Sequence, residues 1–136
     1  MVGNEENRVY RFLWLRSFHV PIAIRLTVDS SGAGSLTTKM LSGAGGYCPG
    51  ILIKDETITV MKEDVREFIS LLQKANYWEL PTNKKVLGLD GAEWIIEGVN
   101  GGRYHVVNRW TPEEGEFRKA ALYLLRLSKL EVEDIY

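Results

Sequence analysis

Ile22, Ile24, Leu26 and Val28 alternate with Ala23, Arg25 and Thr27, and residues 36–41 return the same period of two after Asp29-Ser30-Ser31-Gly32. This alternation predicts an antiparallel hairpin with one buried face. A three-residue loop, with Gly32 in the left-handed conformation, sets Leu26 opposite Leu36 and Ile22 opposite Met40. Upstream, residues 8–15 (RVYRFLWL) read as a strand from their Val, Tyr, Phe and Trp content. Pro21, at the end of the following connection, pushes Val20 into an extended backbone. Residues 51–60 form a further strand, whose charged middle, Lys54-Asp55-Glu56, predicts a bulge or an edge position. At residue 62 the period becomes helical. Val65, Phe68, Ile69 and Leu72 predict an amphipathic helix over 62–75, without a side-chain acceptor at Met61 and with Asn76 suited to the position after its end.

Residues 88–112 predict a second hairpin that feeds a capped helix. Its turn, Asn100-Gly101-Gly102, can close with two residues or three, and the choice flips one strand relative to the other. A two-residue loop puts Arg103 and His105 on the face of Trp94 and Ile96. A three-residue loop pairs Glu97 with His105, Ile95 with Val107 and Glu93 with Arg109, and gathers Trp94, Ile96, Tyr104, Val106 and Trp110 on the other face. The three-residue register is expected, because it separates an apolar face from a charge-paired one. Thr111, Pro112 and Glu114 then read as N-cap, first residue and capping-box partner of a helix with Phe117, Ala121, Leu124 and Ser128 on its inner stripe, supported by Ala120 and Leu127.

The order β-ββ-β-α-ββ-α predicts an α+β domain over residues 8–136, after a flexible N-terminus over 1–7. Its architecture is a single antiparallel sheet of about six strands with two helices packed on one face. The length of 136 residues fits one domain. A net charge of −1 gives no whole-chain attraction to nucleic acid or an anionic membrane. Cys48 is the only cysteine, so an intrachain disulfide and a multi-cysteine zinc site are excluded. No basic stretch leads into an apolar run at the N-terminus, and the apolar residues 12–15 are too few to span a bilayer. A cytoplasmic location is expected, or an exported one if an N-terminal segment has been removed.

The candidate chemistry is a polar cluster. Under the expected register Glu93, Glu97, His105 and Arg109 share one sheet face, while Arg16, His19 and Asp90 lie in connections next to strand ends. Convergence of Arg16, His19, Asp90 and His105 at one end of the sheet would favour an anion or carbonyl, with arginine holding charge and histidine transferring a proton. The ordinary alternative is a solvated face of cross-strand ion pairs with structural histidines. Two histidines and a carboxylate could hold a metal, but no tight ligand spacing such as H-E-x-x-H appears, so neither metal nor cofactor is expected. Cys48, beside Pro49, lacks a base placed near it. The glycines at 43, 45 and 46 lack the G-K-[ST] ending of a phosphate loop and read as a mobile loop or lid. Four tryptophans fill a core first. Arg11, Arg16, Arg25, Arg103 and Arg109 would suit an RNA-binding sheet, but the near-neutral charge argues against it.

Four segments, FLWLRSFH (12–19), SGAGGY (42–47), GLDGAEWIIEG (88–98) and YHVVNRWTP (104–112), together resemble a group of uncharacterised small bacterial proteins. Their shared pattern is F-L-W-L-R-x-F-H, G-A-G-G-Y, D-G-A-x-W-x-x-E-G and Y-H-x-x-x-R-W-x-P. The resemblance spans nearly the whole chain and implies no activity, ligand or catalytic residue. Similar sequences carry a residue such as Thr where Met61 stands, and some begin with a longer, exported N-terminal segment. The expectation is a small, non-catalytic binding or interaction domain, dimeric through its uncovered sheet face, whose partner is a second copy, another protein or a small anion. The alternatives are a small enzyme using His105 or His19 with Asp90 or Glu97, and an antitoxin-like immunity protein, which fits by size alone.

Overall fold

The computed structural model describes residues 8–16, 19–41, 52–83, 91–132 and 135–136. The expectations for residues 1–7, for the glycine-rich stretch with Cys48 and for Asp90 lie outside the described residues. In chain order the elements are β1 (Arg8–Arg16), β2 (Ile22–Val28), β3 (Gly34–Leu41), β4 (Leu52–Val60), α1 (Lys62–Lys74), a 3-10 turn (Tyr77–Glu79), β5 (Ala92–Asn100), β6 (Arg103–Trp110) and α2 (Glu116–Leu127). The strands form one antiparallel sheet in the spatial order β4-β3-β2-β1-β5-β6. The first four meander outward, and α1 carries the chain back so that β5 pairs with β1. The fold is α+β, a six-stranded sheet with both helices on one face, as expected.

Alternation decides which face is covered. Tyr10, Phe12 and Trp14 of β1, Ile22, Ile24 and Leu26 of β2, and Ala92, Trp94 and Ile96 of β5 point inward and are buried. Phe12, Trp14 and Trp94 stack into one cluster, with ring centroids 5.4–6.1 Å apart. Each such aromatic pair adds about 0.5–1.5 kcal/mol beyond its area burial. Phe68 of α1 meets Tyr10 edge-on at 5.4 Å, and α2 brings Phe117, Ala120, Ala121 and Leu124 into the same core. Gly98 is where three elements touch: a Cβ there would lie 3.1 Å from the Tyr10 ring and 3.3 Å from that of Tyr77.

The first hairpin has the expected register, Leu26 opposite Leu36 and Ile22 opposite Met40, with Gly32 at φ 95°. The Asp29 carboxylate accepts bonds from the Ser31 amide (2.9 Å) and hydroxyl (2.5 Å), which hold its pKa below the ordinary value, the hydroxyl most of all. β4 is an edge strand, and its pairing with β3 shifts beside Lys54. Asn76, at φ 56°, turns the chain after α1 as expected.

The second hairpin departs from its expected register. Gly101-Gly102 is a two-residue loop, so Gly98 rather than Glu97 faces His105, Ile96 faces Val107 and Trp94 faces Arg109. Arg103, His105 and Arg109 therefore share the inner face with Trp94, while Trp110 lies on the outer face. Gly101 has φ 61° and Gly102 lies outside the left-handed region, the pattern of a type II′ turn. The expected split of charged from apolar positions ignored the segment after α1. At the β6 edge that segment offers aromatic rings and carbonyl oxygens to inward-pointing polar side chains.

Thr111 also departs from expectation. It does not cap α2, which starts at Glu116 after Gly115. Its amide donates to the Ala92 carbonyl at 2.8 Å, and its Oγ1 accepts the Ala92 N–H at 2.9 Å. These bonds engage the Thr111 hydroxyl and amide away from α2, and they close the open end of the hairpin. Thr111→Ala is expected to leave the buried Ala92 amide without its acceptor, destabilising the fold by about 1–3 kcal/mol. Thr111→Ser, which keeps an Oγ, is expected to retain most of that stability in urea denaturation. Equal midpoints for the two variants would contradict this role.

Candidate functional site

His105 lies on the inner face of β6, under the rings of Tyr77 (5.3 Å between centroids) and Trp78 (6.2 Å). Its Nε2 is 2.8 Å from the Leu80 carbonyl oxygen. A carbonyl only accepts, so Nε2 carries the proton. The Tyr77 hydroxyl, fully buried, reaches the carbonyl oxygens of Ile96 (2.9 Å) and His105 (2.8 Å). Burial, the largest cause, raises its pKa well above the ordinary tyrosine value. Arg109 donates through Nη1 to the carbonyls of Pro81 (2.9 Å) and Asn108 (2.8 Å). The Asn108 amide bonds the Thr82 carbonyl at 2.7 Å, and the Arg103 guanidinium covers the Trp78 ring at 4.3 Å. His105 and Arg109 thus fasten the segment after the 3-10 turn along the edge of β6, where unpaired backbone groups would otherwise invite another strand.

Glu97 is on the opposite face. Its carboxylate pairs with Arg11 at 3.0 Å and accepts the Tyr104 hydroxyl at 2.5 Å, the main reason that the Tyr104 pKa is raised. Glu93, on the same face, accepts the Asn108 amide nitrogen at 2.9 Å. The sheet separates both carboxylates from His105, so Glu97 cannot orient that imidazole.

Arg16 and His19 come together elsewhere. Arg16 is opposite Ala92 and Tyr10 is opposite Gly98, six residues further along, so His105 is displaced from Arg16 by about 20 Å along the strands. Arg16 is buried, its guanidinium 4.2 Å from the centre of the Trp14 ring, and its Nη2 is 3.3 Å from the Val20 carbonyl. His19 Nδ1 lies 2.6 Å from the Tyr136 hydroxyl. The indole nitrogens of Trp14 and Trp94 both donate to the main-chain oxygen of Tyr136, at 3.0 and 2.9 Å. A hollow of about 150 Å³ beside them is lined by Arg16, His19 and Glu131. The six candidates therefore resolve into Arg16 with His19, His105 with Arg109, and Glu97 alone across the sheet; Asp90 lies outside the described residues. Among the described residues no group of three or more His, Cys, Asp or Glu is placed to hold a metal ion.

Arg11 and Arg25, read from the sequence only as part of an RNA-binding sheet, meet in a cationic hollow on the outer face. Arg11 and Arg25 are direct cross-strand partners, and with Ala23, Thr37 and Lys39 they line a depression of about 120 Å³. Like charges placed opposite one another destabilise a sheet. Arg11 has the Glu97 carboxylate; Arg25 and Lys39 make no ion pair among the described residues. Alternation along β1, β2 and β3 places all three on the polar face, but only the β1–β2 register, which joins strands across a connection of unreadable geometry, sets the arginines side by side. No helix among the described residues is long and apolar enough to cross a bilayer.

No protein-family model matches this chain, and no curated protein is similar to it.

Tyr77 links the fastening segment to both strands of the second hairpin, and this has a pH signature. Burial raises the pKa of both Tyr77 and Tyr10 above the ordinary value near 10. Stability tied to a raised pKa is complete below the unfolded value and is lost as pH climbs toward the folded one. Unfolding free energy is therefore expected to decline above about pH 10. Tyr77→Phe is expected to cost about 1–2 kcal/mol at neutral pH and to flatten that decline, measured by urea denaturation across the alkaline range. An alkaline slope identical to that of the parent would remove Tyr77 as its source.

Proposed function

We propose that this chain is a non-catalytic binding domain that takes an acidic protein segment on the open face of its sheet. The observation that carries the reading is the Arg11–Arg25 pair, with Lys39 beside it, in a hollow that no described element covers. A cross-strand pair of like charges costs stability in the isolated fold, and a carboxylate-bearing partner relieves that cost. Ala23 and Thr37 leave room between the longer side chains, so that a carboxylate can reach both guanidinium groups. Bidentate bonding to arginine suits carboxylates. A net charge of −1 favours a local acidic patch on a protein over a polyanion such as nucleic acid, whose binding draws on a broad basic surface. A non-catalytic role is supported by the engagement of both histidines within the chain, His105 with Leu80 and His19 with Tyr136.

Self-association is the second reading. Leu13, Leu15, Ile95, Val99 and Val106 occupy the other half of the same face, each only half-buried. An apolar strip of this kind is a surface for a second copy.

A glutamate-rich peptide titrated calorimetrically into the protein is expected to bind at low salt and to weaken steeply as salt rises. Arg25→Glu is expected to reduce affinity at least about tenfold, equivalent to about 1.4 kcal/mol. Absence of saturable binding at low salt, or undiminished binding by Arg25→Glu, would overturn the reading. Sedimentation of the peptide-free protein separates the second reading: a dimer that Leu13→Glu dissociates would assign the face to self-association.

A further inference from the structure

On the helical side of the molecule, a cleft of about 330 Å³ opens between α1 and the β2–β3 turn. Its walls carry three cations from separate places in the chain. Arg8 starts β1, Lys62 opens α1, and Arg66 lies one helical turn further on. None of the three makes an ion pair among the described residues. The nearest acid on the turn, Asp29, has its carboxylate occupied by the Ser31 amide and hydroxyl. Ser70 and Gln73 continue the lining along α1 with neutral hydrogen-bonding groups, and Val65 and Ile69 supply an apolar floor. These α1 residues recur at three- and four-residue spacing, so one helix stripe presents them all to the cleft. Opposite, Gly32 of the turn faces the Lys62 side chain, which a Cβ there would meet at an ordinary contact distance of 3.8 Å.

We infer that this cleft binds a small phosphate monoester with an apolar body. Three cations exceed what one carboxylate requires, whereas a phosphate monoester carries about −1.5 to −2 charges at neutral pH. Arginine contributes planar, two-pronged hydrogen bonding to phosphate oxygens, and lysine contributes a point charge. The floor of Val65 and Ile69 adds what inorganic phosphate cannot use, burial of a ring or short chain attached to the ester oxygen. The volume lies at the lower end of the range of small-molecule sites. This site is separate from the outer-face hollow, because α1 packs on the inner side of the sheet.

Calorimetric titration of the full chain with phenyl phosphate, inorganic phosphate and benzoate tests the inference. Phenyl phosphate is expected to bind at least about tenfold more tightly than either of the others. Arg66→Gln and Arg8→Gln are each expected to lower its affinity at least about tenfold, with thermal unfolding confirming that the variants remain folded. Arg25→Gln, on the outer face, is expected to leave it unchanged. Ile69→Ser is expected to erode the advantage of phenyl phosphate over inorganic phosphate. The inference is overturned if phenyl phosphate gives no saturable heat, if Arg66→Gln binds it as the parent does, or if Arg25→Gln abolishes binding. The last result would place anion binding on the outer face alone, so failure here and failure of the acidic-partner reading are told apart.

Discussion

The structure depends on β1 being paired along both edges. Seven of its nine residues, Arg8 to Trp14, align with β2 on one side, and all nine align with β5 on the other. Because every second side chain points the same way, fixing Tyr10, Phe12 and Trp14 inward also fixes Ile22, Ile24 and Leu26, and Ala92, Trp94 and Ile96. A one-residue slip of β2 or β5 against it would drive an isoleucine or a tryptophan into water and bring Arg25 or Glu97 into the core. The position of β5 then dictates that of β6, and the position of β6 dictates where the segment after α1 can be tied down. The same constraint acts on the open face, where it sets Arg11 beside Arg25 with no regard for their repulsion. The proposed binding surface thus falls on positions that the core does not use.

Most of the architecture was legible because it rests on local periodicity. The alternation from Ile22 to Val28 and its return gave the first hairpin in register, and the helical spacing of Val65, Phe68, Ile69 and Leu72 gave α1. The charged middle of β4 marked an edge, since only an edge leaves Lys54, Asp55 and Glu56 room to reach water. What escaped was decided at a distance. The second hairpin was read as an isolated pair of strands, in which Glu97 opposite His105 is the best electrostatic match. Inside the fold, Tyr77, Trp78 and the carbonyls of Leu80, Pro81 and Thr82 outweigh that match, because they satisfy His105, Arg103 and Arg109 on the side facing the helices. Thr111 misled for a similar reason: a Thr-Pro-x-Glu signal is local, whereas its actual partner, Ala92, is nineteen residues away.

The candidate site was less legible than the fold. Arginines and histidines were identified by type and drawn together by their proximity to strand ends, yet the sheet is long enough to keep Arg16 and His105 apart. Arg16 reaches the Val20 carbonyl and His105 the Leu80 carbonyl, and backbone groups are common partners of polar side chains. The two cationic hollows draw instead on residues with no unusual local context. Arg25 sits in an ordinary alternating strand, and Arg8, Lys62 and Arg66 are a strand start and a helix face. Charge becomes informative there only once the pairing of strands and the course of α1 are known.

The bonds from Trp14 and Trp94 to the Tyr136 main-chain oxygen have a consequence for cooperativity. Two indole donors, fully buried between sheet and helices, share an acceptor that lies 122 and 42 positions away along the chain. Peeling Tyr136 away would strand both donors in an apolar interior, so Tyr136 detaches only at the expense of the two central strands that carry them. Hydrogen exchange there would be tied to opening of the central strands rather than to local motion. The contact also weights the topology toward long-range closure, the property that slows folding of sheet-rich domains.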